Sequence, residues 1–295
     1  FSLVVQAATD GAHITKTISQ IERKKGIKRT IQYRPDGNDF VCVNGKNRYT
    51  RALYGGITDF RIETSDRPVF ATYKPKDSKH ICFRLQCGNQ SIALDSLKFC
   101  EARYRAGRRT YRLTDPLLGK GELNISVLAF PDAEGGIWRF TMKDMPEGAL
   151  LHCYISEIRA KNLSRNGDMG ADRADSFDAP QLPKEQKHYK LSLDGTTAYI
   201  VVEDQELRLP ALVEGTSLYD KSEKWRSEIE SSLQISTPDP YFNPLGGALA
   251  AAADGIWDGK IWLHGAIGWR SQLNGWRAAY IGDFIGWHDR ARTHF

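Results

Sequence analysis

The feature that most constrains this chain is a long succession of short strand-forming runs, from about residue 28 to residue 212. Phe40-Val41-Cys42-Val43, Phe60-Arg61-Ile62-Glu63, Val69-Phe70-Ala71-Thr72-Tyr73 and Ile81-Cys82-Phe83-Arg84-Leu85 open the series. Tyr111-Arg112-Leu113, Leu123-Asn124-Ile125-Ser126-Val127, Ile137-Trp138-Arg139-Phe140-Thr141-Met142 and residues 150–158 continue it. Tyr189-Lys190-Leu191, Tyr199-Ile200-Val201-Val202 and Leu207-Arg208-Leu209 close it. Residues alternate along these runs or cluster as β-branched and aromatic types, with Gly, Pro, Asn and Asp between them. That is the pattern of antiparallel strands. No helical period is interleaved, so the expected fold is mainly β, a large antiparallel β-sandwich over residues 9–215 rather than an α/β sheet. Asp36-Gly37, Asn44-Gly45 and Asp194-Gly195 are hairpin candidates, because these residue types tolerate positive φ.

Composition narrows the function classes. The net charge of +5 is spread along the chain, and the densest basic cluster, Arg23-Lys24-Lys25 with Lys28-Arg29, is short and lacks aromatic interleaving. A nucleic-acid partner is therefore not expected. Five cysteines, Cys42, Cys82, Cys87, Cys100 and Cys153, form no C-x-x-C pair, so zinc spacing is absent and buried free thiols are the expectation. A bridge between Cys82 and Cys87 stays open. No segment approaches the ~18 apolar residues of a membrane span. Residues 1–8, Phe1-Ser2-Leu3-Val4-Val5-Gln6-Ala7-Ala8, read as a signal-peptide remnant or as a first strand. The first reading implies a periplasmic, cell-surface or secreted address.

One segment interrupts the strands. Residues 161–188 are polar and rich in Asp, Gly and Pro, too long for an ordinary hairpin loop. Asp168, Asp172, Asp175 and Asp178 offer the carboxylates a Ca²⁺ ion wants, although their spacing is not that of an EF-hand and Arg173 lies among them. A mobile or ligand-covering loop is the preferred reading.

After residue 215 the period changes. Residues 216–240 read as a linker helix, with Trp225, Ile229 and Leu233 at i, i+4, i+8. Thr237-Pro238-Asp239-Pro240 marks a boundary. Asn243 before Pro244 then suits a helix start, the Asn as cap and the Pro in the first turn. That helix should run to about Trp257. A further helix begins near Gly275 and reads on to the last residues, with Trp276, Tyr280, Phe284 and Trp287 on one face and Ala278, Gly282 and Gly286 on another.

Residues 241–295 hold five of the seven tryptophans and three of the seven histidines. Aromatics mixed with Asp, His and Arg suit a site that stacks flat rings on a ligand and hydrogen-bonds its edges. An aromatic-rich helix-packing core accounts for the same residues. The block Trp257-Asp258-Gly259-Lys260-Ile261-Trp262-Leu263-His264-Gly265-Ala266-Ile267-Gly268-Trp269-Arg270, with Asn274-Gly275-Trp276-Arg277 and Gly282-Asp283 through Gly286-Trp287-His288-Asp289-Arg290-Ala291-Arg292-Thr293-His294-Phe295, resembles an uncharacterised family. Its members are secreted six-hairpin glycosidase-like proteins of gut Bacteroidetes. Residues 43–56, Val43-Asn44-Gly45-Lys46-Asn47-Arg48-Tyr49-Thr50-Arg51-Ala52-Leu53-Tyr54-Gly55-Gly56, are similar to the same family's N-terminal signature.

The resemblance implies a β-sandwich followed by an (α/α)6 barrel that holds the active site. Twelve helices need on the order of 200 residues, so residues 241–295 supply only the first helical hairpin of a truncated barrel. The chain is expected to be the front part of an exported carbohydrate-active protein, a glycoside hydrolase acting on polysaccharide, and inactive by itself. Glycoside hydrolysis needs two carboxylates across the scissile bond. Asp283 and Asp289 are the candidates. Six residues apart on one helix, they would lie about 9 Å apart along its axis and point to different sides, so they cannot form the pair alone. Asp283, His288 and Asp289 are expected in a sugar subsite, with Trp262, Trp269 and Trp287 as stacking or wall residues and His264 and Arg270 on hydroxyls or an acidic sugar. For each, a buried hydrogen bond or a surface ion pair is the structural alternative.

Metal chemistry through His264, His288, Asp289 and His294 is disfavoured, because His288 and His294 lack the i,i+4 spacing of a helical zinc pair. No G-x-S-x-G elbow supports a Ser–His–Asp hydrolase. Two other classes stay open. One is a non-catalytic carbohydrate-binding module. The other is a structural interaction domain that self-associates through its Trp-rich C-terminus, since an unpaired helical hairpin exposes an apolar patch.

Overall fold

The structure, a computed structural model, describes residues 3–6, 32–74, 77–158, 188–265 and 270–295. The chain is mainly β, and strands are numbered in chain order. One sheet has eight antiparallel strands: β2 (Arg34–Asp36), β3 (Asp39–Val43), β9 (Phe99–Arg105), β10 (Arg108–Thr114), β11 (Glu122–Ala129), β12 (Gly135–Lys143), β15 (Thr197–Glu203) and β16 (Glu206–Arg208). Their spatial order is β16-β15-β12-β11-β10-β9-β3-β2. The second sheet has seven: β4 (Arg51–Tyr54), β5 (Arg61–Thr64), β6 (Phe70–Lys74), β7 (Asp77–Cys87), β8 (Gln90–Ala93), β13 (Leu150–Glu157) and β14 (Tyr189–Ser192). Its order is β14-β13-β7-β6-β5-β4, with β8 pairing the far half of β7. Leu3–Gln6 forms β1, paired parallel with β17 (Leu233–Ser236).

The two sheets pack face to face, and β9 and β10 show the alternation that makes this possible. In β9 and β10 every second residue is buried: Cys100, Ala102 and Tyr104, then Arg109, Tyr111 and Leu113. Aromatic rings bridge the gap edge to face, Phe70 on Tyr111 at 5.6 Å and on Trp138 at 5.7 Å, and Phe83 on Phe140 at 5.5 Å. Such pairs add to the area they bury. Trp138 and Phe140 are fully buried at the centre.

One inward position is a charge. Arg109 is fully buried and donates to Tyr33 Oη and to the Ser65 carbonyl, both at 2.8 Å, with the Asp66 carboxylate 3.9 Å away. Asp66 in turn accepts from Asn47 N at 2.9 Å and Thr50 Oγ1 at 3.1 Å, and from Gln32 and Tyr33. A buried charge persists only when it is paired and hydrogen-bonded. This network holds residues 43–56 in place as they cross from β3 in one sheet to β4 in the other. Gly55 and Gly56 complete the fit, because a Cβ on either would sit 1.9 Å from the carbonyl oxygen of Phe130 or Pro131.

Of the three turn dipeptides only Asp36-Gly37 makes a hairpin, between β2 and β3. Asn44-Gly45 and Asp194-Gly195 lie where the chain changes sheet, between β3 and β4 and between β14 and β15. Cys82 and Cys87 share the single strand β7 and are free thiols, as are Cys42, Cys100 and Cys153. Five residues apart on one strand, Cys82 and Cys87 point to opposite faces and cannot be bridged.

The helices are α1 (Leu212–Ser231), α2 (Leu245–Asp254), α3 (Gly275–Ile285) and α4 (His288–His294). The linker helix starts and ends earlier in the chain than residues 216–240 and is seated on the eight-stranded sheet. Its buried residues are Gly215, Tyr219, Ser222 and Arg226, while Trp225 and Ile229 are half-buried and Leu233 lies past the helix end, buried in β17. A Cβ at Gly215 would strike the Tyr199 ring at 2.4 Å, so the glycine permits this approach. Asn243 does not cap α2. Its side chain accepts from Thr237 N at 2.7 Å and donates to Thr237 O at 3.2 Å, closing the preceding loop. The last helix is also not continuous. Gly286, at φ 83°, ends α3 in the left-handed region, and α4 starts afresh at His288. Among the described residues no helix is long and apolar enough to cross a membrane.

Candidate functional site

Residues 241–265 and 270–295 form a small packed unit against α1 and β17. Its core holds Leu233, Ala250, Ala253 and Ile285, beside Trp262, Leu273 and Ala291. Trp262 is fully buried, and its indole N–H donates to the Ala253 carbonyl at 3.1 Å. His294 sits beneath it. Its Nδ1 accepts from Trp262 N at 3.0 Å and its Nε2–H donates to Leu273 O at 2.9 Å, which fixes a neutral imidazole tautomer. Gly282 lets α3 close on this pair, for a Cβ there would meet Ala291 Cβ at 2.8 Å and the Trp262 ring at 2.9 Å. Trp262 is therefore a packing residue in this unit and has no face to offer a ligand.

The other expected site residues are dispersed. Trp287 is half-buried under the Arg290 guanidinium, 4.2 Å from its ring. Arg270 is bound to Asp59 and to Thr58 Oγ1, tying the unit to the loop between β4 and β5. His264 is exposed, its amide bonded to Ser271 O at 2.8 Å. Asp283 and His288 do meet, Nδ1 to Oδ1 at 2.9 Å, on an open surface. Asp289 is 93% exposed and pairs with Arg292. Because the chain turns at Gly286, Asp283 and Asp289 lie on two helices rather than one, whereas His288 and His294 are the first and last residues of α4. Trp269 and the candidate calcium ligands Asp168, Asp172, Asp175 and Asp178 lie outside the described residues. Among the described residues no group of three or more His, Cys, Asp or Glu is placed to hold a metal ion.

No motif or periodicity in the sequence marks Asp254. This carboxylate is buried at the end of α2 and accepts from Arg290 at 2.7 Å. Burial pushes its pKa up, while the Arg290 charge and hydrogen bond pull it down. The cavity beside it, about 40 Å³ between Tyr54, Tyr104, Trp225 and Arg226, has room for little more than a water. Asp254 serves as a clamp between α2 and α4.

α3 carries the most exposed apolar surface of the unit. Trp276, Tyr280 and Phe284 are 59%, 59% and 65% exposed and touch ring to ring along the helix. Arg277 lies over the Trp276 ring at 5.1 Å.

A second surface was also missed. On the outer face of the eight-stranded sheet the strand register aligns two polar rows across β9, β10, β11 and β12. The first is Arg103, Thr110, Ser126, Arg139 and the second is Glu101, Arg112, Asn124, Thr141. Together they line a groove of about 270 Å³. α1 covers the next row, where Glu230 binds Arg105 at 2.7 Å and Glu223 binds Arg108 at 2.8 Å. Tyr219 forms the boundary, with its hydroxyl 2.7 Å from Ser126 Oγ and its ring 3.9 Å from the Arg139 guanidinium. Arg103 and Arg112 are paired with Glu101, and further with Asp36 and with Glu122. Arg139 has no carboxylate or hydrogen-bond partner among the described residues, and its Nε is sealed from water. The outward positions of these strands could be read in the sequence. Their alignment into rows and the placing of Tyr219 could not.

Fold and surfaces together define a class: a two-sheet antiparallel β protein with a helix laid across one sheet, a polar groove beside it and a small aromatic helical unit. A family model described as "Domain of unknown function (DUF4450)" matches residues 75–203. That stretch reaches from β7 to β15 and contains every groove residue, whereas residues 241–295 lie outside it. No curated protein matches the chain.

Proposed function

We propose that the chain is the sandwich and leading helical part of an exported carbohydrate-active protein of the six-hairpin glycosidase kind, with residues 241–295 as the start of an (α/α)6 barrel. The observation that carries this reading is the aromatic stripe of α3. Trp276, Tyr280 and Phe284 repeat at the spacing by which a helix packs on a neighbour, and they stand exposed while the opposite side of the helix is packed on Trp262 and Ala291. In an (α/α)6 arrangement the next helices would cover them. Asp283, His288 and Asp289 would then line the edge of the barrel as sugar ligands, with the catalytic carboxylate pair completed by other helices. The intact mass of the native protein from its source cells tests this. A mass well above 33.2 kDa is expected, with glycosidase activity sought in that longer protein. A mass near 33.2 kDa would remove the barrel reading.

A second reading, a carbohydrate-binding module without catalysis, is favoured by one observation: the polar groove with its uncompensated arginine. Glycan-array binding by the chain itself is its test.

A further inference from the structure

We infer that the groove on the eight-stranded sheet binds a carboxylate-bearing sugar unit, a uronic acid, with Arg139 taking the carboxylate. The inference rests on the carbohydrate-binding reading and narrows it to one site and one chemical class.

Charge comes first. Arg103, Arg105, Arg108 and Arg112 each have a carboxylate within 3.5 Å, so those cations are already balanced. Arg139 is not. Its guanidinium lies 3.9 Å from the Tyr219 ring centre, and its Nε is closed off from water with no acceptor among the described residues. The buried Nε is out of a ligand's reach, but the two terminal nitrogens are open to solvent and carry an uncompensated charge, so the site favours a ligand that brings an anionic acceptor to them. One uncompensated cation calls for one negative charge. The planar fork of an arginine matches the two oxygens of a carboxylate. The nearest competing carboxylate within the two rows is Glu101, three strands away, roughly 14 Å at the usual strand spacing.

The rest of the groove selects for hydroxyls. The side-chain hydroxyls of Thr110 and Thr141 make no hydrogen bond to the described residues, and Asn124 donates its amide N–H to Glu122 at 2.9 Å and keeps its carbonyl for a ligand. Side chains in the groove are all half-buried or buried, on a floor of paired backbone. At about 270 Å³ the groove is just below the usual small-molecule range of roughly 300–1,000 Å³, a fit for a single ring and its substituents.

The test is calorimetric titration of the folded chain with sodium D-glucuronate, its methyl ester, glucose and acetate, at millimolar concentration. Glucuronate is expected to bind, and the ester, which lacks the charge, at least ~10-fold more weakly. Arg139→Gln should abolish binding, with thermal unfolding as a check on folding. If Arg139→Gln does not fold without its stack on Tyr219, Thr141→Glu carries the test. Its carboxylate would stand two residues along β12 on the same face, pair with Arg139 and remove glucuronate binding while leaving the stack in place. Glucose binding as tightly as glucuronate would overturn the inference and leave the carbohydrate reading standing. Acetate binding as tightly would overturn the sugar half of it. No binding by any of the four would overturn it outright, and the barrel reading would still be decided by the native mass.

Discussion

Replacing Trp262 by alanine separates a packing role from a ligand-stacking role. The side chain is fully buried among Leu273, Ala291, Ile256 and Ile281. Burial of the roughly 200 Å² of a tryptophan at about 25 cal/mol per Å² corresponds to about 5 kcal/mol, an upper figure because unfolded chains already bury part of that surface. Measured aromatic-to-alanine changes in cores fall at about 3–5 kcal/mol. The substitution also leaves the Ala253 carbonyl without its indole donor, 3.1 Å away in the native unit, which adds about 1 kcal/mol. Trp262→Ala should therefore destabilise the helical unit by about 4 kcal/mol. Trp262→Phe keeps much of the volume but loses the N–H, and should fall at about 2 kcal/mol. Guanidinium denaturation followed by circular dichroism measures both, and amide exchange locates the loss. Protection should drop in α3 and α4 and persist in β10–β12. A change below about 1 kcal/mol for the alanine variant, together with lost glycan binding, would show that Trp262 is a stacking platform and that the packing argument is wrong.

Three other outcomes are expected. Gly55→Ala would drive a Cβ to 1.9 Å from the Phe130 carbonyl, so the strands must shift, and thermal unfolding should fall by roughly 6–12 °C for a change of about 3 kcal/mol. Burial pushes the Glu230 carboxyl up, but the hydrogen bonds from Arg105 and Arg226 outweigh it and hold its pKa below the ordinary 4.5. Its contribution to stability is thus present above pH 4.5 and lost as pH falls below it, and Glu230→Gln should flatten the acid limb of the stability–pH curve. Burial raises the thiol pKa of Cys82 to about 11 and that of Cys100 to about 12, and Cys153 is raised as well. A thiol reagent at pH 8 should therefore modify at most the half-buried Cys87 in the native protein, and all five cysteines in guanidinium.

The sandwich was readable because a half-buried strand writes its burial into the sequence with a period of two, and β9 and β10 do so without a fault apart from the inward Arg109. The helix-break at Gly286 was missed because Trp276, Tyr280, Phe284 and Trp287 continue a helical pattern across it. Periodicity records which side chains resemble one another, not where the backbone turns. The Trp, His and Asp residues near the C-terminus look the same in sequence whether they hold a ligand or hold each other. Only burial distinguishes Trp262 and His294, which are sealed in, from Asp283 and Asp289, which are exposed. The groove escaped for a different reason. Arg103, Thr110, Ser126 and Arg139 become neighbours through strand register, and Arg139 is distinctive only through the partner it lacks.

The groove's floor is made entirely by β9, β10, β11 and β12, four strands consecutive in the chain and paired in that same order. β7 and β13, by contrast, join residues such as Phe83 and Cys153 across a long stretch of sequence. Loop closure for the first group is short and for the second long, so the meander can form early and the far sheet must wait for it. Substitutions in β10 or β11 should then slow refolding, while those at the β7–β13 seam should mainly hasten unfolding, a contrast that stopped-flow chevrons resolve. If the meander forms first, its surface would be among the last to open. The groove would keep its outline under partial denaturation that has already loosened the helices of the C-terminal unit.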